Sequence, residues 1–122
     1  VLDVGQCQPD HGSLRRLLEG FGAEVVQTHG LGDTVAQLRA GPFDLVLINR
    51  KLDADYSDGM VILKHLKQDP ATKDTPVILI SNYADAQSEA IAAGAEPGFG
   101  KAQLSEPATR EILERLLGAP TA

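Results

Sequence analysis

The chain has 122 residues, 43% of them hydrophobic and 23% charged, and a net charge of −6. That length suits one domain with a sizeable core rather than two. The acidic balance argues against binding of a phosphate backbone, which needs a clustered basic face, and no run of about 18 apolar residues offers a membrane span.

No leader is expected ahead of the first strand. The chain opens on Val1 rather than Met, as expected of a piece excised from something longer, with any output domain lying outside it. Cys7 is the single cysteine, so no intrachain disulfide can form and a reducing, cytoplasmic setting is expected.

Short apolar runs alternate with helical patterns five times. Residues 1–6 read as a strand, and Leu14, Leu17, Leu18 and Phe21 mark one helical face. A second strand is expected over 23–27 and a helix near 34–40, stopped by Gly41-Pro42. The run Asp44-Leu45-Val46-Leu47-Ile48-Asn49 is the third strand, followed by a helix over 59–68 with Ile62, Leu63 and Leu66 turned inward. Residues 76–81 form a fourth strand, its proline tolerated at the first position. A helix over 85–93 capped by Gly94, a short strand at 98–100 and a last helix over 107–117 complete the pattern. The domain is expected to span 1–118, with 119–122 as a tail.

Strands apolar on both faces, alternating with helices, imply an α/β fold: a parallel sheet covered by helices on each side. Right-handed crossovers favour a three-layer, doubly wound, five-stranded sheet of order 2-1-3-4-5. Chemistry in such sheets gathers at the carboxyl ends of the strands, here positions 5–7, 49–50, 81–82 and 101.

Four stretches in order carry a resemblance: Phe43-Asp44-Leu45-Val46-Leu47-Ile48; Asp58-Gly59 before a helix; Thr75-Pro76-Val77-Ile78-Leu79-Ile80-Ser81; and Ala93-Gly94-Ala95-Glu96 leading to Lys101. With them the chain resembles the receiver domain of bacterial response regulators over essentially its whole length. The resemblance implies a flavodoxin-like fold and a role in two-component phosphorelay signalling. It also implies a site where an aspartate ending strand three accepts a phosphoryl group and two acidic residues after strand one hold Mg²⁺. A Ser or Thr ending strand four and a Lys after strand five bind phosphoryl oxygens. Such transfer is mostly positioning and charge stabilisation.

Carried over by position, the acidic pair falls on Gly5 and Gln6, the phosphoacceptor on Asn49, the hydroxyl on Ser81 and the ammonium on Lys101. Three carboxylates are replaced while the hydroxyl and the lysine are retained. An amide resists forming an acyl phosphate, and Mg²⁺ usually takes one or two carboxylates, so Mg²⁺ binding is expected to be weak or absent and no cofactor or catalytic residue is assigned. Restoring the chemistry would need Gly5→Asp and Gln6→Asp together with Asn49→Asp.

Gly59 lies ten residues after Asn49, further than is usual for the family, and Gly98 stands where its switch aromatic would be. Lys101 is expected to donate to the Asn49 side-chain oxygen, to Gln6 or to loop carbonyls, or to swing into water. An aspartate or glutamate oxygen within bonding reach of Lys101 in the cleft at the sheet edge would overturn the inert reading.

Other candidates read as structure. Asp53, Asp55 and Asp58 fail the calcium-loop pattern, since Asp58 takes the glycine position and Lys64 the final glutamate position. Asp3, on the same strand face as Gly5 but two residues back, is expected to be an exposed or capped charge. Cys7 is expected to be a small buried hydrophobe, and His11, His29 and His65 surface residues. The segment Val4-Gly5-Gln6 with Asp10-His11-Gly12 faintly resembles the Asp-x-His-x-x-Gly loop of cobalamin-binding α/β domains, although here Asp and His are adjacent.

The leading expectation is therefore a non-enzymatic pseudo-receiver, probed by a protein partner such as a histidine kinase, an output domain or another signalling protein. Docking or homodimerisation is expected through the last two helices and strand five, with no contact to nucleic acid or membrane. The first alternative is a functional receiver with a displaced acceptor or metal ligand at Asp53 or Asp55. A cofactor-binding, cobalamin-like module of an enzyme is the second.

Overall fold

The computed structural model describes residues 1–118; the expected tail at 119–122 lies outside the described residues. The strands are β1 (Leu2–Val4), β2 (Val26–Thr28), β3 (Val46–Asn49), β4 (Val77–Ile80) and β5 (Glu96–Phe99). The helices are α1 (Gln8–Glu19), α2 (Leu31–Ala40), α3 (Gly59–Gln68), α4 (Ala84–Ala92) and α5 (Pro107–Leu117), with a 3₁₀ turn over Lys101–Gln103.

The five strands form one sheet in the order β2-β1-β3-β4-β5, every pairing parallel. This is the expected three-layer, doubly wound architecture.

Side-chain alternation divides the core between the two sheet faces. Val46, Ile48, Val77 and Leu79 pack with Ile62, Leu63 and Leu66 of α3 and Ala90 of α4. Leu45, Leu47, Ile78 and Ile80 face the other way, onto Leu14 and Leu18 of α1 and Leu113 of α5. Both faces are dry, which is why these strands read as unbroken apolar runs.

Local chemistry sets the helix ends. Asp58 caps α3, its carboxylate accepting from Met60 N at 2.9 Å. Asp33 of α2 accepts from the backbone of His29 and Gly30 at 2.8 and 2.9 Å. Thr72 Oγ1 donates to Leu66 O at 2.7 Å and closes the end of α3.

β1, β3 and β4 are shorter than their sequence-based bounds, and two strands are shifted along the chain. The second forms at Val26–Thr28 because the turn after α1, with Gly22 at φ 79°, holds Ala23 N on Leu18 O. The fifth runs Glu96–Phe99 and pairs irregularly: Ile78 lies opposite Glu96, but Ile80 opposite Phe99. No helix among the described residues is long and apolar enough to cross a membrane.

Leu47 is fully buried in the middle of β3, so Leu47→Ala is expected to cost about 2–5 kcal/mol through lost burial and a residual cavity. Urea unfolding followed by circular dichroism measures this, with exposed Val61→Ala as a nearly neutral control.

Candidate functional site at the carboxyl edge

β1 and β3 are neighbours, so their exits place Gly5 and Asn49 side by side. The Asn49 side chain is engaged as a donor: Nδ2 donates to Gly5 O at 3.0 Å and to Lys51 O at 2.7 Å. A carboxylate has no hydrogens to give and would set its oxygens against two carbonyls. The amide at this position is therefore built into the backbone around it.

The lengthened connection from β3 to α3 forms a hook. Leu52 N donates to Ser57 O, Tyr56 N to Leu52 O, and Lys51 bridges Asp58 in antiparallel fashion. The hook folds back onto the first strand exit, where Asp53 N donates to Gly5 O at 3.0 Å.

Leu52 is thereby buried against Gly5. A Cβ on Gly5 would stand 2.5 Å from Leu52 Cδ2, and Gly5 has φ 77°, a conformation that side chains resist. The space for a carboxylate at position 5 is filled by leucine. The restoration expected to need Gly5→Asp therefore carries an added cost, since the Leu52 side chain would have to shift and the new residue would hold a positive φ. Gly59 is equally constrained, because a Cβ there would collide with Asn49 O.

Lys101 departs from its expected partners. Its Nζ pairs with Asp10 Oδ2 at 2.8 Å, not with Asn49, Gln6 or loop carbonyls. Asp10 lies in the first turn of α1, and Cys7 Sγ donates to the same oxygen at 3.1 Å. Lys101, and secondarily Cys7, hold the Asp10 carboxyl below the usual carboxylate range. The cleft thus keeps an anion for its cation, supplied from the helix rather than from the strand exit. Cys7 is exposed, not the buried hydrophobe expected, because it stands at the helix N-cap outside the core.

Asp3 is also corrected. It is fully buried, and its Oδ2 lies 2.7 Å from Nδ1 of His11, which is itself largely covered. Burial pushes the Asp3 pKa up to about 6, partly opposed by the hydrogen bond and charge of His11. Gln6 is buried beside it and exerts a weaker opposing influence. Asp3 Oδ1 and both Gln6 side-chain polar atoms nevertheless lack a partner in hydrogen-bonding geometry. His29 and His65 are exposed, as expected.

Ser81 and Lys101 do come together with Asn49, Cys7, Leu52 and Asn82 around an open cleft of about 480 Å³. Ser81 Oγ accepts from Tyr83 N at 3.2 Å.

Asp53 lines the same cleft, whereas Asp55 is engaged within its own loop. Asp53 approaches Nδ1 of His29 at 3.2 Å, while Asp55 Oδ1 accepts from Ser57 N and Oγ at 3.0 and 2.6 Å. Among the described residues, no group of three or more His, Cys, Asp or Glu is placed to hold a metal.

Around position 98, Gln87 of α4 spans β4 and the edge strand β5. Its Nε2 donates to Leu79 O and Ser81 O at 2.8 and 3.1 Å, and its Oε1 accepts from Gly98 N at 3.1 Å. A Cβ on Gly98 would collide with Leu79 O and crowd Gln87.

The sequence does not single out Gln87 and brings in Asp10 only within the cobalamin-like segment, while Asp3, expected exposed or capped, and His11, expected at the surface, are instead a covered pair. For Asp10 a signal existed: a first-turn side chain tilts back toward the helix start and so toward the sheet edge.

The response regulator receiver domain family model matches residues 11–117. The receiver domain of NtrX from Brucella abortus is 21% identical, with 96% of this chain and 98% of that one covered and a TM-score of 0.71. Chemotaxis protein CheY4 of Vibrio cholerae is 19% identical, with 95% and 96% covered and a TM-score of 0.73. The receiver domain of sensor histidine kinase PA1611 from Pseudomonas aeruginosa PAO1, solved with magnesium in its active site cleft, is 16% identical, with 97% of each chain covered and a TM-score of 0.68.

The raised Asp3 pKa has a definite sign. Unfolded Asp3 titrates near 3.8 and folded Asp3 near 6, so between these values the native state holds the additional proton. Its contribution is complete below the unfolded value and is lost as pH rises through about 6. Asp3→Asn should remove that slope from the urea midpoint measured across this range; an unchanged slope would assign it to other groups.

Proposed function

Because the chain belongs to the response regulator receiver domain family, we propose that it is a two-component signalling module that takes no phosphoryl group on Asn49 and acts by protein contact. The observation that carries this reading is the double donation of the Asn49 amide to Gly5 O and Lys51 O, locked behind Leu52. An acceptor aspartate needs free oxygens at that point, and the backbone there demands donors.

Mg²⁺ fits these residues poorly. Gly5 offers no side chain, Gln6 is a buried amide, and Asp10 already serves Lys101 and Cys7. The carboxylates near the cleft are already engaged, Asp10 by Lys101 and Asp53 by His29, so a hard divalent cation would have to displace those partners. The module is therefore read as non-enzymatic.

Its partners are a histidine kinase, an output domain or another signalling protein, with α4, β5 and α5 available for docking or for a homodimer. The acidic net charge opposes direct nucleic-acid binding, and a cytoplasmic setting suits a lone exposed thiol. The cobalamin-like reading loses its support, because the His11 imidazole that it would use is turned onto Asp3.

One observation favours a second reading. A carboxylate does reach Lys101, the outcome set from sequence as overturning inertness, and it belongs to Asp10 at the start of α1 rather than to Asp53 or Asp55. Asp10 is then the displaced acceptor.

Incubation with acetyl phosphate and Mg²⁺, followed by intact mass measurement, separates the two readings. No added mass is expected. A hydroxylamine-labile phosphoryl group that disappears in Asp10→Asn would establish the second reading, and one that persists in Asp10→Asn but not in Asn49→Ala would defeat both.

Asn49→Asp alone should gain no rapid labelling. It should also lose stability by about 0.5–1.5 kcal/mol, the net worth of a typical hydrogen bond, since Gly5 O keeps Asp53 N as a donor, as read from urea unfolding.

A further inference from the structure

A second open groove, of about 540 Å³, lies between the hook and α4. Its rim carries Tyr56 and Tyr83, which are 75% and 72% exposed. The chain has two tyrosines and no tryptophan, so both of its tyrosines stand on this one groove. Tyr56 is held at φ 59°, a conformation uncommon for residues other than glycine, by its N–H to Leu52 O and by the bridge between Lys51 and Asp58. The hook that closes the Gly5 site thus also presents an aromatic ring to solvent.

The charges of the groove suit a cation. Asp58, Asp85 and Glu89 line it against Arg50 and Lys51. Arg50 is taken up by Asp58 at 2.6 Å and Glu89 at 3.7 Å. Asp85 accepts from Ala86 N through Oδ1 and has no ion-pair partner among the described residues. Lys51 Nζ lies 6.0 Å from the centre of the Tyr56 ring, so one aromatic face here already attracts an ammonium. The net charge of −6 favours the approach of a basic partner.

We propose that this groove receives an arginine or lysine side chain from a basic segment of a protein partner, stacked on Tyr56 and Tyr83 and neutralised by Asp85 and Glu89. The proposal deepens the protein-contact reading, on which it rests, by naming a surface and the chemistry of its partner. It is independent of whether any residue accepts phosphate, so phosphodonor labelling cannot decide it.

Both tyrosines also border the adjoining Asn49 cleft, so intrinsic tyrosine emission reports binding at this edge and the Asp85 and Glu89 substitutions, which lie only on the groove, assign it. Titration of the protein with a capped Gly-Arg-Arg-Gly peptide should give a saturable change that weakens with added salt, and the citrulline counterpart should give none. Tyr83→Leu, and separately Asp85→Asn with Glu89→Gln, should weaken binding by about tenfold or more while circular dichroism stays unchanged. An equal response to the citrulline peptide, equal affinity in both variants, or preferential binding of an acidic peptide would overturn the proposal. So would a dimer in sedimentation that is lost with Tyr83→Leu, since the occupant would then be a second copy.

Discussion

Everything at the carboxyl edge depends on one carbonyl. Gly5 O accepts from the Asn49 side chain and from Asp53 N, and those two bonds tie the exit of β1 to the exit of β3 and to the connection beyond it. A backbone acceptor left dry is costly, so once Gly5 adopts a positive φ its carbonyl must find donors. Asn49 supplies one and the hook supplies the other. Leu52 then fills the space that a side chain at position 5 would need. Loss of one acid therefore goes with an amide at the second position and with a longer loop, as parts of a single packing solution.

Charge follows the same logic. A lysine retained beside a neutralised strand exit still requires an anion, since an unpaired ammonium is unfavourable away from water. Asp10 meets that need from the first turn of α1, where a carboxylate also suits the helix dipole. Behind it, Asp3 and His11 form a buried pair with Gln6 alongside. The polar centre has moved off the strand tips and into the joint between β1 and α1. Its members differ from the family's acidic residues in position and in partner.

On the far side of the cleft, Gln87 stitches α4 to β4 and β5 through three backbone groups. An aromatic side chain cannot occupy position 98 beside that amide and Leu79 O. The edge that would otherwise carry a mobile ring is pinned, and the chain's exposed aromatics stand instead at Tyr56 and Tyr83, around the groove shared by the hook and α4.

The strand order, the parallel pairing and the split of the core were legible from sequence, because apolar periodicity and β-α alternation are local patterns that admit few topologies. That neutral residues stand at Gly5, Gln6 and Asn49, at the carboxyl ends of β1 and β3, was legible for the same reason, being a matter of position along the chain. Partners were not. Asp10 with Lys101, Asp3 with His11, Leu52 against Gly5 and Gln87 across β4 and β5 join segments up to 91 residues apart, as for Asp10 and Lys101. Which donor meets which acceptor depends on the path of a loop and the tilt of a helix. Those are decided by packing in three dimensions, and no periodicity along the chain encodes them.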